Sequence, residues 1–451
     1  MCSSQIKKTA FMLLLLGAPV RADDPVIKII RVVRPFGALS LRIPEDALRA
    51  RVTGSHDLQS WQLTQALPTG EGESWLEQPA GGWRSEMEVF LRDEKEHSFF
   101  RLEIERENSD AWQLTTVDNT ATVGLFTSLA FDPGGNPAIS YNDSSSGDLK
   151  YAVHDGAGWI VSLVDSEGDA GSHSSLAFNP DGRPAISYYE EDPHNDLKYA
   201  WHDGSTWRAM RLDWQEDVGN YTSLAFNDDG SPHISYFDAT NRALKYAIHD
   251  RVGWLVTTVD TAQGEGQTGL FTSLALCPDD RPSIAYYATN DVMNNGVLRY
   301  AEFDLIKWNI ATVEGGGSNR HVGTYTSLAF DPAGRPAISY LEGVNYNLQY
   351  AANDGSGWTS TTVDSDGFIG LYTSLAFGAA GRPAISYYDF INDTLKYARY
   401  DGSEWTAVTV DSTARVGIYT CLAFAPNGQP AISYFDITNS ALKFAIRGGL
   451  K

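Results

Sequence analysis

Cysteine is scarce, with three in 451 residues, and Cys2 falls in a leader-like segment. The other two, Cys277 and Cys421, end and begin equivalent repeat segments three units apart. A disulfide needs Cα atoms within about 7 Å, so the pair is not expected to bridge, and the fold must be held by its core. Basic residues are also short: 34 Lys and Arg stand against 57 Asp and Glu, a net charge of −23. Nucleic-acid affinity rests on Lys and Arg neutralising phosphates, so no nucleic-acid partner is expected. Long apolar runs are missing too. The run Ala10 to Val20 has eleven residues, whereas crossing a bilayer takes about 18 or more, and no membrane insertion is expected.

That short run has another reading. Lys7 and Lys8 precede it, and Val20-Arg21-Ala22 puts small residues where a signal peptidase reads. Residues 1–22 are therefore expected to be a signal peptide, which makes the protein secreted: extracellular, periplasmic or on the cell surface. Cys2 lies too early for a lipoprotein anchor. Without the leader, 31 basic and 57 acidic residues remain, a charge of −26, which suits solubility, divalent cations or neutral ligands.

What the chain has in abundance is repetition. From Ala111 to Ile446 the segment SLAF or a variant recurs at Ser128, Ser175, Ser223, Ser273, Ser327, Ser374 and Cys421, at spacings of 47, 48, 50, 54, 47 and 47. Each unit continues with an I-[S/A]-Y segment, an L-[KRQ]-[YF]-A segment and a tryptophan: Trp112, Trp159, Trp207, Trp254, Trp308, Trp358 and Trp405. Apolar residues alternate throughout, as in Leu129 and Phe131 against Ser128 and Ala130, so these are strands and not helices. Four short strands at this period predict a β-propeller blade. Turns of the D-P-x-G-x-P and D-G-x-x-W types join the first to the second strand and the third to the fourth.

The ends of the array are out of phase. It opens with a lone fourth strand, Ala111 to Asp118, and stops after a third strand, Ala441 to Ile446. The fold class that follows is all-β: a seven-bladed β-propeller of four-stranded blades over residues 109–451, its last blade closed by N- and C-terminal strands. Residues 23–108 do not share the repeat. Short apolar segments there, among them Val26 to Val33 and Ser98 to Glu105, predict a small N-terminal β-sandwich.

Candidate site residues fall on the face carrying the loops into the first strand and between the second and third. Two residues before each SLAF segment the chain is aromatic or His: Phe126, His173, Tyr221, Phe271, Tyr325, Tyr372 and Tyr419. After each second strand comes an acid, Asp143, Glu190, Asp238, Glu342, Asp389 and Asp436, with Ala288 breaking the series. Residues repeated in every unit serve the blade more readily than a single ligand, so departures from the repeat carry the functional expectation. The two longest spacings flank the fourth unit, and their extra loops place Asp291, Asn294, Asn295, Arg320, His321, Tyr325, Glu342 and Tyr346 as ligand-binding candidates.

No catalytic constellation stands out. His154, His202 and His249 take equivalent positions in three blades and read as turn residues. No cofactor is expected. Asp165, Glu167 and Asp169 alternate like calcium ligands but lack the flanking ones, and a solvated turn accounts for them.

The SLAF, DPxGxPAISYYD, LKYA and HDGxxW segments together resemble secreted bacterial β-propellers, distantly similar to sialidase-type and lectin propellers. The D-G-x-x-W turns place Asp one residue closer to Trp than the sialidase Asp-box does. Ser55 to Trp61 followed by Ser98 to Glu105 resembles a small β module of secreted bacterial proteins, which implies an accessory domain. The resemblance implies the fold, and the residues leave two functional readings: a non-catalytic protein that binds an extracellular glycan or protein partner, for which aromatics and polar loops suffice, and a propeller-type glycan hydrolase or lyase, which needs an acid/base pair or arginine cluster that the sequence does not single out.

Overall fold

The chain divides into two compact units, Met1–Ser109 and Asp110–Lys451. A computed structural model describes residues 111–262, 264–290, 295–315, 321–378 and 380–449, and six strands upstream of them. In the first unit, Ile29–Val33, Ala38–Leu41 and Met87–Phe90 form one antiparallel sheet, and Leu76–Glu77, Ala47–Ser55 and Phe99–Arg106 form another. The packing expected of a sandwich, and the signal peptide, lie outside the described residues.

The second unit is a propeller of seven four-stranded antiparallel sheets. Blade 1 runs Val123–Phe131, Pro137–Asp143, Asp148–His154 and Trp159–Asp165, and the pattern repeats to blade 7. There Val416–Phe424, Pro430–Asp436 and Ala441–Arg447 are completed by Trp112–Asp118 from the other end of the domain. Six residue pairs, from Leu442 with Asp118 to Arg447 with Trp112, zip that blade shut. The closing strand covers the edge that Ala441–Arg447 would otherwise leave unpaired, which removes a template for edge-to-edge association.

Four contacts, repeated between neighbouring blades, hold the ring. The bulky face of one sheet fills the small-residue face of the next: Ile186 and Tyr188 of blade 2 pack on Ala138 and Leu149 of blade 1. Each fully buried side chain of this size contributes roughly 1.5–3 kcal/mol. Every repeat tryptophan stands edge-on to an aromatic ring of the preceding blade, with centroids 5.2 Å apart for Trp112 and Tyr397 and 5.1 Å for Trp207 and Tyr151. The SLAF serine accepts a hydrogen bond from the next blade's leucine amide, as in Leu176 N to Ser128 Oγ at 3.0 Å. At the seventh junction Leu129 N meets Cys421 Sγ instead, at 3.3 Å. Cys277 and Cys421 are both free thiols.

The fourth contact is polar and buried. The second-strand tyrosine donates to the acid ending the preceding blade's last strand: Tyr188 to Asp165 at 2.5 Å, Tyr236 to Asp213 at 2.7 Å, Tyr387 to Asp364 at 2.6 Å. A third-strand lysine completes several of these, with Lys198 Nζ 2.5 Å from Asp165 and Lys396 Nζ 2.6 Å from Asp364. Burial works to raise the Asp165 carboxyl, but hydrogen bonds from Lys198, Tyr188 and the Glu167 amide outweigh it and hold the group below its ordinary value. Asp165 is thus a structural residue.

The hairpin face is uniform. Asp155 Oδ1 caps its turn by accepting from the amides of Ala157 and Gly158, both at 2.9 Å, and His154 Nδ1 accepts from Gly156 N at 3.1 Å. His202 and His249 repeat that bond, so the three histidines are turn residues.

Candidate functional site on the loop face

The opposite face is built around a distortion of every first strand. In blade 1, Leu125 pairs with Asn142 and Ser128 with Ser140, so Phe126 and Thr127 together oppose Tyr141. Such a bulge re-aims a side chain. The glycine two residues earlier is required because a Cβ on Gly124 would sit 2.7 Å from Leu442 Cα. The bulged residue itself takes a left-handed conformation, φ 52° at Phe126 and 54–55° at His173, Tyr221, Tyr325, Tyr372 and Tyr419. Left-handed backbone costs a bulky residue on the order of 1 kcal/mol or more, tolerated only where the surroundings enforce it.

What enforces it is the ring these side chains make. Neighbouring centroids lie 4.6 Å apart for Phe126 and His173, 4.5 Å for His173 and Tyr221, and 4.7 Å for Tyr221 and Phe271. The circle continues at 4.7, 4.8 and 4.8 Å through Tyr325, Tyr372 and Tyr419, and closes onto Phe126 at 4.5 Å. All are tilted, the geometry aromatic pairs favour. Burial lowers His173 to about 4, so its imidazole is neutral here. The ring and the Thr or Ser after each member line an axial well of about 200 Å³. Sites for drug-sized ligands start near 300 Å³, so a larger ligand must use the surrounding surface.

The acids after the second strands turn out to close their own loops. Asp389 accepts from the amides of Ile391 and Asn392, both at 3.1 Å, and from Asn392 Nδ2 at 2.8 Å. Asp238 and Asp436 hold Asn241 and Asn439 the same way, and Glu342 accepts from Val344 N and Asn345 N at 2.9 and 3.0 Å. Glu190 departs from this pattern.

Of the eight sequence candidates, Asp291, Asn294 and Arg320 lie outside the described residues. Asn295 and His321 come together, since Gly296 bridges to His321 and Gly343 N donates to His321 O at 2.7 Å. His321 Nδ1 also lies 2.6 Å from the Tyr287 hydroxyl. Glu342, buried, is adjacent through Gly343 but spends its carboxylate on its own turn. Tyr325 belongs to the axial ring. Tyr346 sits apart from them, next to blade 6.

There Tyr346, 44% exposed, packs against Phe368 with centroids 4.1 Å apart and rings tilted by 50°, and Phe368 is 5.1 Å from Phe390, itself 49% exposed. Backbone bonds fix the three loops that carry them: Ile369 N to Tyr346 O and Phe390 N to Phe368 O, each 3.0 Å. Exposed Val344 and Ile391 extend this platform. Its polar edge is Arg415, whose Nε donates to Asp393 Oδ2 at 3.1 Å, and Tyr388, which donates to the same carboxylate. Sequence reasoning centred on long loops missed Phe368 and Phe390. A signal was present: other units place Thr122, Asp169, Asp217, Gln267, His321 and Arg415 where blade 6 has Phe368.

No family model and no curated protein matches this chain. Among solved structures it is similar to a polysaccharide lyase, an ulvan lyase bound to -[GlcA(1-4)Rha3S]-, at 12% identity over 73% of this chain and 93% of that one, TM-score 0.52. It is also similar to the α-L-arabinofuranosidase Arb93A from Fusarium graminearum, at 13% identity, 60% and 91% coverage and TM-score 0.45. A third is the Aleuria aurantia lectin, at 12% identity, 63% and 95% coverage and TM-score 0.44. At so low an identity the likeness to the ulvan lyase shows the fold alone, and the seven four-stranded sheets make this chain a seven-bladed β-propeller.

Proposed function

We propose that the chain is an exported, non-catalytic binding protein that holds an extracellular glycan on the loop face of its propeller. The observation that carries this is the platform of Tyr346, Phe368 and Phe390. Three aromatic side chains, two of them about half exposed, on loops fixed by backbone bonds, offer an apolar cluster whose exposed ring faces can meet the C–H faces of a sugar. Asp393 and Arg415 at its edge supply acceptors and donors for hydroxyls. The leader-like residues 1–22 support export. The likeness to an ulvan lyase bound to -[GlcA(1-4)Rha3S]- supports a glycan as the ligand class.

Glycan-array binding by the full chain, beside Tyr346→Ala and Phe390→Ala, tests the reading. Either substitution should weaken binding roughly five- to 150-fold, in keeping with the about 1–3 kcal/mol that an aromatic ring packed on its ligand contributes. Binding by both variants as tight as that of the wild-type chain would refute the platform.

A second reading, a glycan lyase or hydrolase, draws on one pair. Burial pushes the Tyr287 phenol up to about 12, so it stays protonated at neutral pH and lies within proton-transfer reach of His321. Activity on a polysaccharide panel that vanishes in His321→Ala would favour this reading.

A further inference from the structure

In blade 2 a consensus acid has lost its consensus partner. The acid after the second strand normally accepts from the amide and side chain three residues on: Asn241, Asn345, Asn392 and Asn439 serve Asp238, Glu342, Asp389 and Asp436. Three residues beyond Glu190 is Pro193, which has no N–H to give. The third-strand lysine does not compensate either. Lys150 lies 2.6 Å from Asp143 and Lys245 3.6 Å from Asp238, but Lys198 is drawn to Asp165 and Glu167. Glu190 is fully buried, and neither of its carboxylate oxygens accepts a hydrogen bond. Asp196 Oδ2, also buried, is in the same condition. A buried carboxylate without hydrogen bonds loses its hydration and must rely on nearby charge to offset the loss.

His194 stands over the two acids, with Nδ1 3.5 Å from Glu190 Oε2. One donor atom from each of Glu190, His194 and Asp196 lies within 4.8 Å of the others. Among the described residues Lys198 is farther off, and the cation in closest contact with both acids is Arg211. Its Nε is 3.3 Å from Asp196 Oδ2 and 3.9 Å from Glu190 Oε2, and its Nη2 is 2.7 Å from His194 Nδ1. An arginine only donates, so the imidazole nitrogen facing it carries a lone pair. The guanidinium brings one positive charge to two buried carboxylates. It also has somewhere else to go, since Nη2 is 3.6 Å from Glu167 Oε1 at an exposed side chain.

We infer that Glu190, His194 and Asp196 form a divalent-metal site in the second-to-third-strand loop of blade 2, with Arg211 as a resident stand-in cation that withdraws to Glu167 when the metal binds. Two carboxylates and one imidazole suit a borderline dication such as zinc, because imidazole selects against calcium and magnesium. Two negative charges match its charge. Three protein ligands leave open positions for water or a ligand group, on the side where His194 is exposed. The site is independent of the aromatic platform, which lies on blades 5 and 6.

The test is isothermal titration of the chelator-treated full chain with zinc chloride and, separately, calcium chloride, with thermal melts alongside. Zinc should bind the wild type at one site and raise its Tm. His194→Ala and Glu190→Gln should each weaken binding at least about tenfold. Arg211→Ala should do the opposite: lower the Tm in chelator, bind zinc more tightly than the wild type, and regain stability on addition of the metal. Zinc affinity equal in the wild type, His194→Ala and Glu190→Gln would overturn the site. So would absence of binding in both the wild type and Arg211→Ala. Calcium raising the Tm of His194→Ala as much as that of the wild type would overturn the imidazole as a ligand.

Discussion

Blades 2 and 6 are built on one plan and differ at the places that matter. Blade 6 has Tyr372 in the axial ring and Asp389 capped by Asn392. Blade 2 has His173 in the ring, and Glu190 followed by Pro193. Their inter-blade contacts match, down to Tyr188 with Asp165 and Tyr387 with Asp364. The difference teaches that a repeated acid is best read through its partner. Where the partner amide is present the acid closes a turn; where it is missing, the buried charge waits for something else.

The largest expected break in this comparison is a stability difference. Asp389→Ala strips three donors of their acceptor and should cost about 2–3 kcal/mol, given roughly 1 kcal/mol or more for each unmet group. Glu190→Gln loses no hydrogen bond and removes a poorly compensated charge, so it should be neutral or stabilising. Urea midpoints at constant m-value check both. Equal losses in the two variants would erase the distinction between the blades.

A smaller effect separates the ring positions. His173 is held at about 4 in the fold, against 6.5 for an ordinary imidazole. Because the folded value is the lower one, the stability it allows is fully present above pH 6.5 and drains away as pH falls toward 4. His173→Tyr, which copies blade 6, should therefore gain about 1–2 kcal/mol at pH 5 and little at pH 8. Melting curves at the two pH values decide it, and a gain independent of pH would mean that packing and not protonation sets the difference.

The smallest effect sharpens the comparison at the closing junction. Six junctions use a serine as the inter-blade acceptor and the seventh uses Cys421, a weak acceptor. Cys421→Ser should raise stability by about 0.5 kcal/mol, measurable as a shift in urea midpoint.

The propeller was legible because its signals are redundant. Seven tryptophans, seven SLAF segments and alternating apolar residues all report the same four-strand meander, and the unmatched ends announce the closing blade. The site was harder to read for a physical reason. Loop length directed attention to blades 4 and 5, but length does not tell whether a side chain is spent on its own turn, as Glu342 is. Tyr346 was found by proximity to a long loop; its partners Phe368 and Phe390 sit in loops of ordinary length. Glu190 and Pro193 could have been paired from the sequence, had the acids been compared with the residues three places on.

The closing blade also sets an order of events. Trp112–Asp118 is the first strand of the ring to leave the ribosome, yet its partner Ala441–Arg447 is the last. Bringing them together closes a loop the length of the whole ring, the costliest contact in entropy and the slowest to form. Until then the opening strand lacks the partner it has in the finished ring, and a nascent chain holds it open. Synthesis of the Ala441–Arg447 strand, rather than of any earlier blade, is thus the event that commits this propeller to its ring.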